Sequence, residues 1–173
     1  MTPSPRDTRI FWGTAVVVVL LDVLTKWAAE RYLELHVPRQ AIGDFVRWTL
    51  AYNPGAAFSM SLGPFQRYIF GAFAVAALYV LWRLHRDAPP GERARSLALG
   101  LAWGGALGNL IDRIRHPRGV VDFIDVGMAG HRFWTFNVAD SAVTVGAVLL
   151  ALVLLREERA ARREGEAGRP VDG

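Results

Sequence analysis

The stretch 104–140 reads GGALGNLIDRIRHPRGVVDFIDVGMAGHRFWTFNVAD, leaving one apolar helix, crossing a polar loop and entering a second apolar helix. It carries four carboxylates (Asp112, Asp122, Asp125 and Asp140) and two amides (Asn109 and Asn137), in or beside segments hydrophobic enough to sit in lipid. An ionised side chain in hydrocarbon costs about 3 kcal/mol or more, so polar groups there have to pair with one another or serve a site. Two carboxylates brought within a few ångströms cannot both ionise cheaply, and the pair shares a proton. Acid and base then stand in one place and can drive water onto a carbonyl carbon without a metal or a covalent nucleophile. Composition alone leaves open which acids pair.

Working outward, the chain is 173 residues long, 52% hydrophobic and 21% charged, and the apolar residues gather in four blocks at about 10–29, 65–84, 97–114 and 138–155. Each is near the ~20 residues that cross a bilayer core of ~30 Å. The expected fold is an α-helical integral membrane protein, with four transmembrane helices and a small extracytoplasmic antiparallel β-sheet. The first block runs into Asp22, Thr25, Lys26 and Trp27 without a small-residue cleavage site, which favours a retained helix over a removed leader. Basic residues cluster before the first block (Arg6, Arg9), between the second and third (Arg83, Arg86, Arg93, Arg95) and after the fourth (Arg156, Arg159, Arg162, Arg163). The positive-inside rule then places both termini in the cytoplasm and the loops 30–64 and 115–137 on the opposite face.

Residues 1–9 read as a cytoplasmic lead, 10–155 as one membrane domain and 156–173 as a disordered cytoplasmic tail. Asp22 and Lys26, spaced i, i+4 with the acid first, suit a helical ion pair. That pair either neutralises itself at the membrane edge or fixes a neighbouring loop or polar substrate group. Between 33 and 61, Pro38 and Gly43 punctuate runs rich in strand formers, which predicts the surface sheet. Its run 45–52 offers an edge that an extended peptide can join. It ends in Asn53-Pro54-Gly55-Ala56-Ala57-Phe58, where small residues leave room for another backbone. Gly104 and Gly108 suit close helix packing. Asn109 and Asp112, three apart, project from nearly one helix face beside Arg113. Asp140 falls in the first turn of the last helix, where the helix dipole favours an anion.

Several chemistries are excluded. There is no cysteine, no H-E-x-x-H, no G-x-S-x-G and no Gly-rich phosphate loop, so neither a metal nor a cofactor is expected. The net charge of +4 is distributed topologically rather than among stacking aromatics, and nucleic acid is not an expected partner. A small polytopic transporter or proton-conducting membrane protein is the alternative, because intramembrane acids also mark ion pathways. Gathering of the acids at one membrane face counts against it.

The segments Asp22-Val23-Leu24-Thr25-Lys26, Asn53-Pro54-Gly55-Ala56-Ala57-Phe58, 104–113, Val120-Val121-Asp122-Phe123 and Phe136-Asn137-Val138-Ala139-Asp140-Ser141 together resemble the bacterial lipoprotein signal peptidase family (signal peptidase II), over about 10–155. The resemblance implies an aspartic endopeptidase of the bacterial inner membrane, multi-pass, with its site at the extracytoplasmic face. Such an enzyme removes signal peptides from diacylglyceryl-modified prolipoproteins, cutting before the lipidated cysteine. It also implies Asp122 and Asp140 as the catalytic dyad. Asn53, Asn109, Arg113 and Asn137 correspond to the polar surround, Gly55 to the room left for the substrate backbone, Asp22 and Lys26 to the first-span motif, and Asp112 to a structural support. Asp125 falls outside the motif. The expected partners are the prolipoprotein substrate and membrane lipid, with the chain itself a monomer.

Overall fold

The computed structural model describes residues 2–55, 65–128 and 130–167, so Ala56, Ala57 and Phe58 of the turn motif lie outside the described residues. Its elements in order are α1 (Pro5–Tyr32), β1 (Arg39–Ile42), β2 (Val46–Asn53), α2 (Gln66–Arg86), α3 (Arg93–Arg115), β3 (Val120–Met128), β4 (His131–Arg132) and α4 (Val138–Ala167). Among the described residues three helices are long and apolar enough to cross a membrane: α1, α2 and α4 over Val138–Arg163. Their outward faces carry large apolar side chains in the open, among them Val16, Leu20 and Leu24 on α1, Phe73 and Tyr79 on α2, and Val148 and Leu152 on α4. A belt of this extent calls for lipid rather than water around it.

Two ends of the chain depart from expectation. Helix α1 begins at Pro5, inside the segment read as a lead, because Ser4 and Asp7 form a capping box and Pro5 occupies the first turn. Asp7 also accepts the Gly91 N–H at 2.8 Å, fastening the start of α1 to the turn between α2 and α3. At the other end α4 continues to Ala167, into the segment read as a disordered tail. Ion pairs Arg95–Glu157 and, at 2.7 Å, Arg162–Glu158 lie along that extension.

Helix α3 lies at the centre, packed on α1, α2 and α4. Four of its glycines, Gly100, Gly104, Gly105 and Gly108, set how near the others come. A Cβ at Gly105 would stand 2.4 Å from the Ala139 carbonyl oxygen of α4, and one at Gly108 2.5 Å from an Asp22 carboxylate oxygen of α1. A side chain at Gly105 would part α3 from α4, and one at Gly108 would displace the Asp22 carboxylate.

The sheet is antiparallel in the order β1-β2-β3-β4. Its two halves come from distant parts of the chain: 33–61 supplies β1 and β2, and 115–137 supplies β3 and β4. Strand β2 pairs on one side with β1 through Val46–Trp48 and on the other with β3. Beyond β1, the His36 N–H bonds the Leu50 carbonyl at 2.9 Å. Over Val46–Leu50 the expected free edge is therefore corrected: there β2 is a central strand, with backbone groups engaged on both sides. Val121 and Phe123 of β3 and Leu50 of β2 pack on Ala29 near the end of α1, seating the sheet on the bundle.

Gly105→Ala is expected to destabilise the protein by about 1–3 kcal/mol through overpacking. Gly13→Ala, where a Cβ meets nothing within 4 Å, should be neutral or mildly stabilising. Thermal unfolding in detergent separates the two, and equal midpoints would sink the packing account.

Candidate active site

The site is built where α4 begins. Asn137 caps that helix: its Oδ1 accepts the Asp140 N–H at 2.9 Å, while Asp140 Oδ2 accepts the Asn137 N–H at 3.3 Å. This is a reciprocal cap, and it fixes Asp140 against the positive end of the helix. The same Asn137 side chain, fully buried, donates to Asp122 Oδ1 at 2.7 Å and approaches the Val121 carbonyl at 3.3 Å. One amide thus holds both acids. Asn109 completes the arrangement, donating to Asp140 Oδ1 at 2.7 Å. Phe136, just before the cap, is clamped to β3, its N–H bonding the Ile124 carbonyl at 3.0 Å and its carbonyl accepting the Ile124 N–H at 2.8 Å.

Beneath the acids lies a buried cation. Lys26 Nζ is 2.7 Å from Asp22, 2.8 Å from Asp112 and 3.0 Å from Asn109 Oδ1. Each partner holds another element in turn. Asp22 accepts the Ala139 N–H of α4 at 2.9 Å, and Asp112 accepts the Val121 N–H of β3 at 3.0 Å. The Asp22–Lys26 pair therefore does more than neutralise itself. Arg113 bonds the Asn109 carbonyl at 2.9 Å, lies 5.9 Å from the centre of the Phe70 ring, and feels the charges of Asp140 and Asp122.

Burial, and after it the charge of Asp140, pushes the Asp122 carboxyl up from the ordinary 3.8 to about 7, against hydrogen bonds from Asn137 and Asn53 and the charge of Lys26. Near neutral pH this carboxyl holds its proton for much of the time. Asp140 is only half-buried.

All ten residues singled out in the sequence converge on this end of the bundle, with one change of role. Asn53 bonds Asp122, and its Oδ1 accepts the Gly55 N–H at 2.9 Å. Gly55 itself, at φ +111°, makes room for the Phe70 ring of α2, which would stand 2.3 Å from a Cβ there. The space expected for a passing backbone is filled at Gly55 by a side chain. Asp125 points to the other face of the sheet from Asp122, as residues three apart on a strand do. There it accepts from Thr49 at 3.0 Å and Arg132 at 2.8 Å. Sequence reasoning missed the pairing of Tyr52 with Glu30, at 2.7 Å, and with Arg118, whose guanidinium lies 3.7 Å from the ring centre. No local spacing signals contacts so distant along the chain.

A membrane-compatible helical bundle that holds two hydrogen-bonded acids at one end, one of them poised to keep its proton, has the frame of an acid–base hydrolase working at a membrane. The comparisons agree and are specific: residues 14–156 match the family described as signal peptidase (SPase) II, and the chain belongs to that family. It is 40% identical over 150 residues to the lipoprotein signal peptidase of Polynucleobacter necessarius, covering 85% of this chain and 90% of that protein. Identity to the lipoprotein signal peptidase of Acinetobacter baumannii is 44% over 147 residues, covering 83% and 81%. A bacterial membrane enzyme solved by the in meso method at 2.3 Å resolution superposes with a TM-score of 0.76 at 32% identity, covering 84% of this chain and 87% of that one. As a member of the family the chain is a membrane protease that acts on lipoprotein precursors. The transporter alternative is set aside.

Two outcomes follow. Because the folded Asp122 holds a proton that the unfolded chain gives up near pH 4, the unfolded state binds fewer protons between about pH 4 and 7, and stability falls as pH rises through that window. Asp122→Asn removes this decline. The variant should gain in thermal midpoint over the parent at pH 8 and much less at pH 5, and an equal difference at both would refute the protonation reading. Lys26→Met strands Asp22 and Asp112 without their cation and should cost about 3–5 kcal/mol. A midpoint close to the parent's would show that Lys26 is not the tie.

Proposed function

We propose that Asp122 and Asp140 are the catalytic dyad that cleaves diacylglyceryl-modified prolipoproteins immediately before the lipidated cysteine. The observation that carries the assignment is the single amide of Asn137, which donates to Asp122 while capping Asp140. Protonated Asp122 donates to the scissile carbonyl oxygen. Ionised Asp140, held by the Asn109 amide and the Asn137 N–H, takes a proton from water as the oxygen attacks the carbonyl carbon. On collapse of the tetrahedral intermediate the C–N bond breaks, Asp140 passes that proton to the leaving amine, and Asp122 recovers its proton from the intermediate's hydroxyl as the carbonyl re-forms. Asn53, Asn109, Asn137 and Arg113 hold the acids in place, while Asp22, Lys26 and Asp112 support them from below.

In this reading α3 is a fourth span. Asn109, Asp112 and Arg113, more than its glycines, make it less apolar than its neighbours, but it is packed among them. Arginines at both termini and between α2 and α3 support a cytoplasmic location for those parts in the bacterial inner membrane, which puts the sheet and the dyad at the extracytoplasmic face. The lipidated substrate then reaches the dyad sideways from the bilayer, and one copy of the chain suffices.

Purified chain in detergent should cut a diacylglyceryl-modified prolipoprotein. Asp122→Asn and Asp140→Asn, checked for equal folding, should each lose about 10²–10⁴-fold in turnover or more, the usual contribution of a positioned acid or base. A parent inert on lipidated substrate would overturn the substrate; either variant cutting at the parental rate would overturn the dyad.

A further inference from the structure

Helix α3 presents different flanks to its neighbours. Gly105 and Asn109 face α4, whereas Trp103 and Leu107 flank the seam between α3 and α1. Two cavities open along that seam. One, about 280 Å³, is wholly apolar and runs past Trp12, Val16 and Leu20 of α1 opposite Trp103 and Leu107. The other, about 390 Å³, lies along the same face of α1 at Leu24, Trp27 and Glu30 and is closed by Arg115 and His116 at the end of α3. An apolar furrow under a polar mouth has the profile of a membrane lipid.

Charge in the mouth is of both signs and divided in space. Arg115 is exposed and has no partner among the described residues, which leaves a guanidinium for a phosphate. Opposite it stand Glu30 and, on the floor, the nine-tenths buried Lys26 and Asp112. That floor sets two carboxylates, Asp22 and Asp112, against one ammonium. Glu30 is steadied by the Tyr52 hydroxyl at 2.7 Å and by His116 at 3.7 Å. An anionic headgroup satisfies only the arginine side. A headgroup with a phosphate followed by a primary ammonium satisfies both, and the ammonium can donate hydrogen bonds that a quaternary amine lacks. We propose that the α1–α3 seam is a binding site for an ethanolamine phospholipid, with its phosphate on Arg115, its ammonium at Glu30 and an acyl chain along Leu20 and Leu107. The site lies on the flank of α3 turned away from α4 and is separate from the dyad. It rests on the reading of α1 and α3 as membrane-crossing.

The full chain, purified in detergent, is incubated with an equimolar mixture of phosphatidylethanolamine, phosphatidylglycerol and phosphatidylcholine of identical acyl chains, and bound lipid is read by native mass spectrometry. The ethanolamine lipid should dominate. Arg115→Ala should lower its occupancy about fivefold, the usual contribution of one basic residue at a lipid headgroup. Glu30→Gln should bring it down to the choline lipid's level while leaving the glycerol lipid unchanged. Leu20→Trp, which fills the furrow without touching charge, should reduce all three, and thermal midpoints confirm folding of each variant. Equal uptake of the three lipids by the parent, preference for phosphatidylglycerol, or a preference that survives Glu30→Gln would overturn the site. Cleavage by Arg115→Ala in lipid-free detergent should match the parent. Lipid retention needs no turnover, so a failed peptidase reading and a failed lipid site give different results.

Discussion

One buried ammonium holds the molecule's working end together. Lys26 meets Asp22, Asp112 and Asn109 at hydrogen-bonding distance with its side chain 3% exposed, inside a bundle whose outer face is apolar. A lone charge at that depth is costly, and so are two unpaired carboxylates; together they are tolerable. The cluster fixes more than itself, because each partner spends a second contact on another element. Asp22 fastens the start of α4, Asp112 the start of β3, and Asn109 reaches Asp140. Both acids of the site are thus positioned from one point on α1.

Amides are suited to the layer between that cluster and the acids. A carboxylate can only accept and an ammonium can only donate, whereas asparagine does both without adding charge. Asn109 accepts from Lys26 and donates to Asp140; Asn137 accepts from the Asp140 N–H and donates to Asp122. The layer carries orientation upward without delivering positive charge directly to Asp122. A cation in contact with Asp122 would pull its carboxyl back towards the ordinary range and strip its proton near neutral pH. Close packing supports this spacing, since Gly105 and Gly108 let α3 come near enough to α4 and α1 for short side chains to span the gaps.

Much of this was legible in the sequence, and unevenly so. Apolar blocks long enough for a bilayer mark the helices, and acids and amides inside those blocks mark the site, because lipid tolerates few polar groups without a purpose. Strand β3 was not legible: Val120-Val121-Asp122-Phe123 is buried on both faces, so the alternation that identifies a half-exposed strand is missing. Its partner lies some seventy residues earlier in the chain, as in the Trp48–Ile124 pair, and no local pattern encodes such a distance. The early start of α1 was legible in principle from Ser4 and Asp7, whose capping box was hidden beside the two prolines of a polar lead. The choice of Asp122 and Asp140 among the acids did not come from composition. It came from the family motifs, and the burial pattern gives it a physical sense: Asp125 occupies the opposite strand face and Asp112 is engaged with Lys26 and the Val121 N–H.

The two acids are not equivalent, and the inequality follows from where the secondary structure puts them. Asp122 sits mid-strand at 2% exposure, where ionisation forfeits water without gaining a cation in direct contact. Asp140 sits in the first turn of a helix, half-buried, with a backbone N–H and the Asn109 amide on its two oxygens and the helix dipole behind it. Strand burial and helix capping therefore give two identical side chains different surroundings: one is withdrawn from water, the other stays half-exposed at the start of a helix.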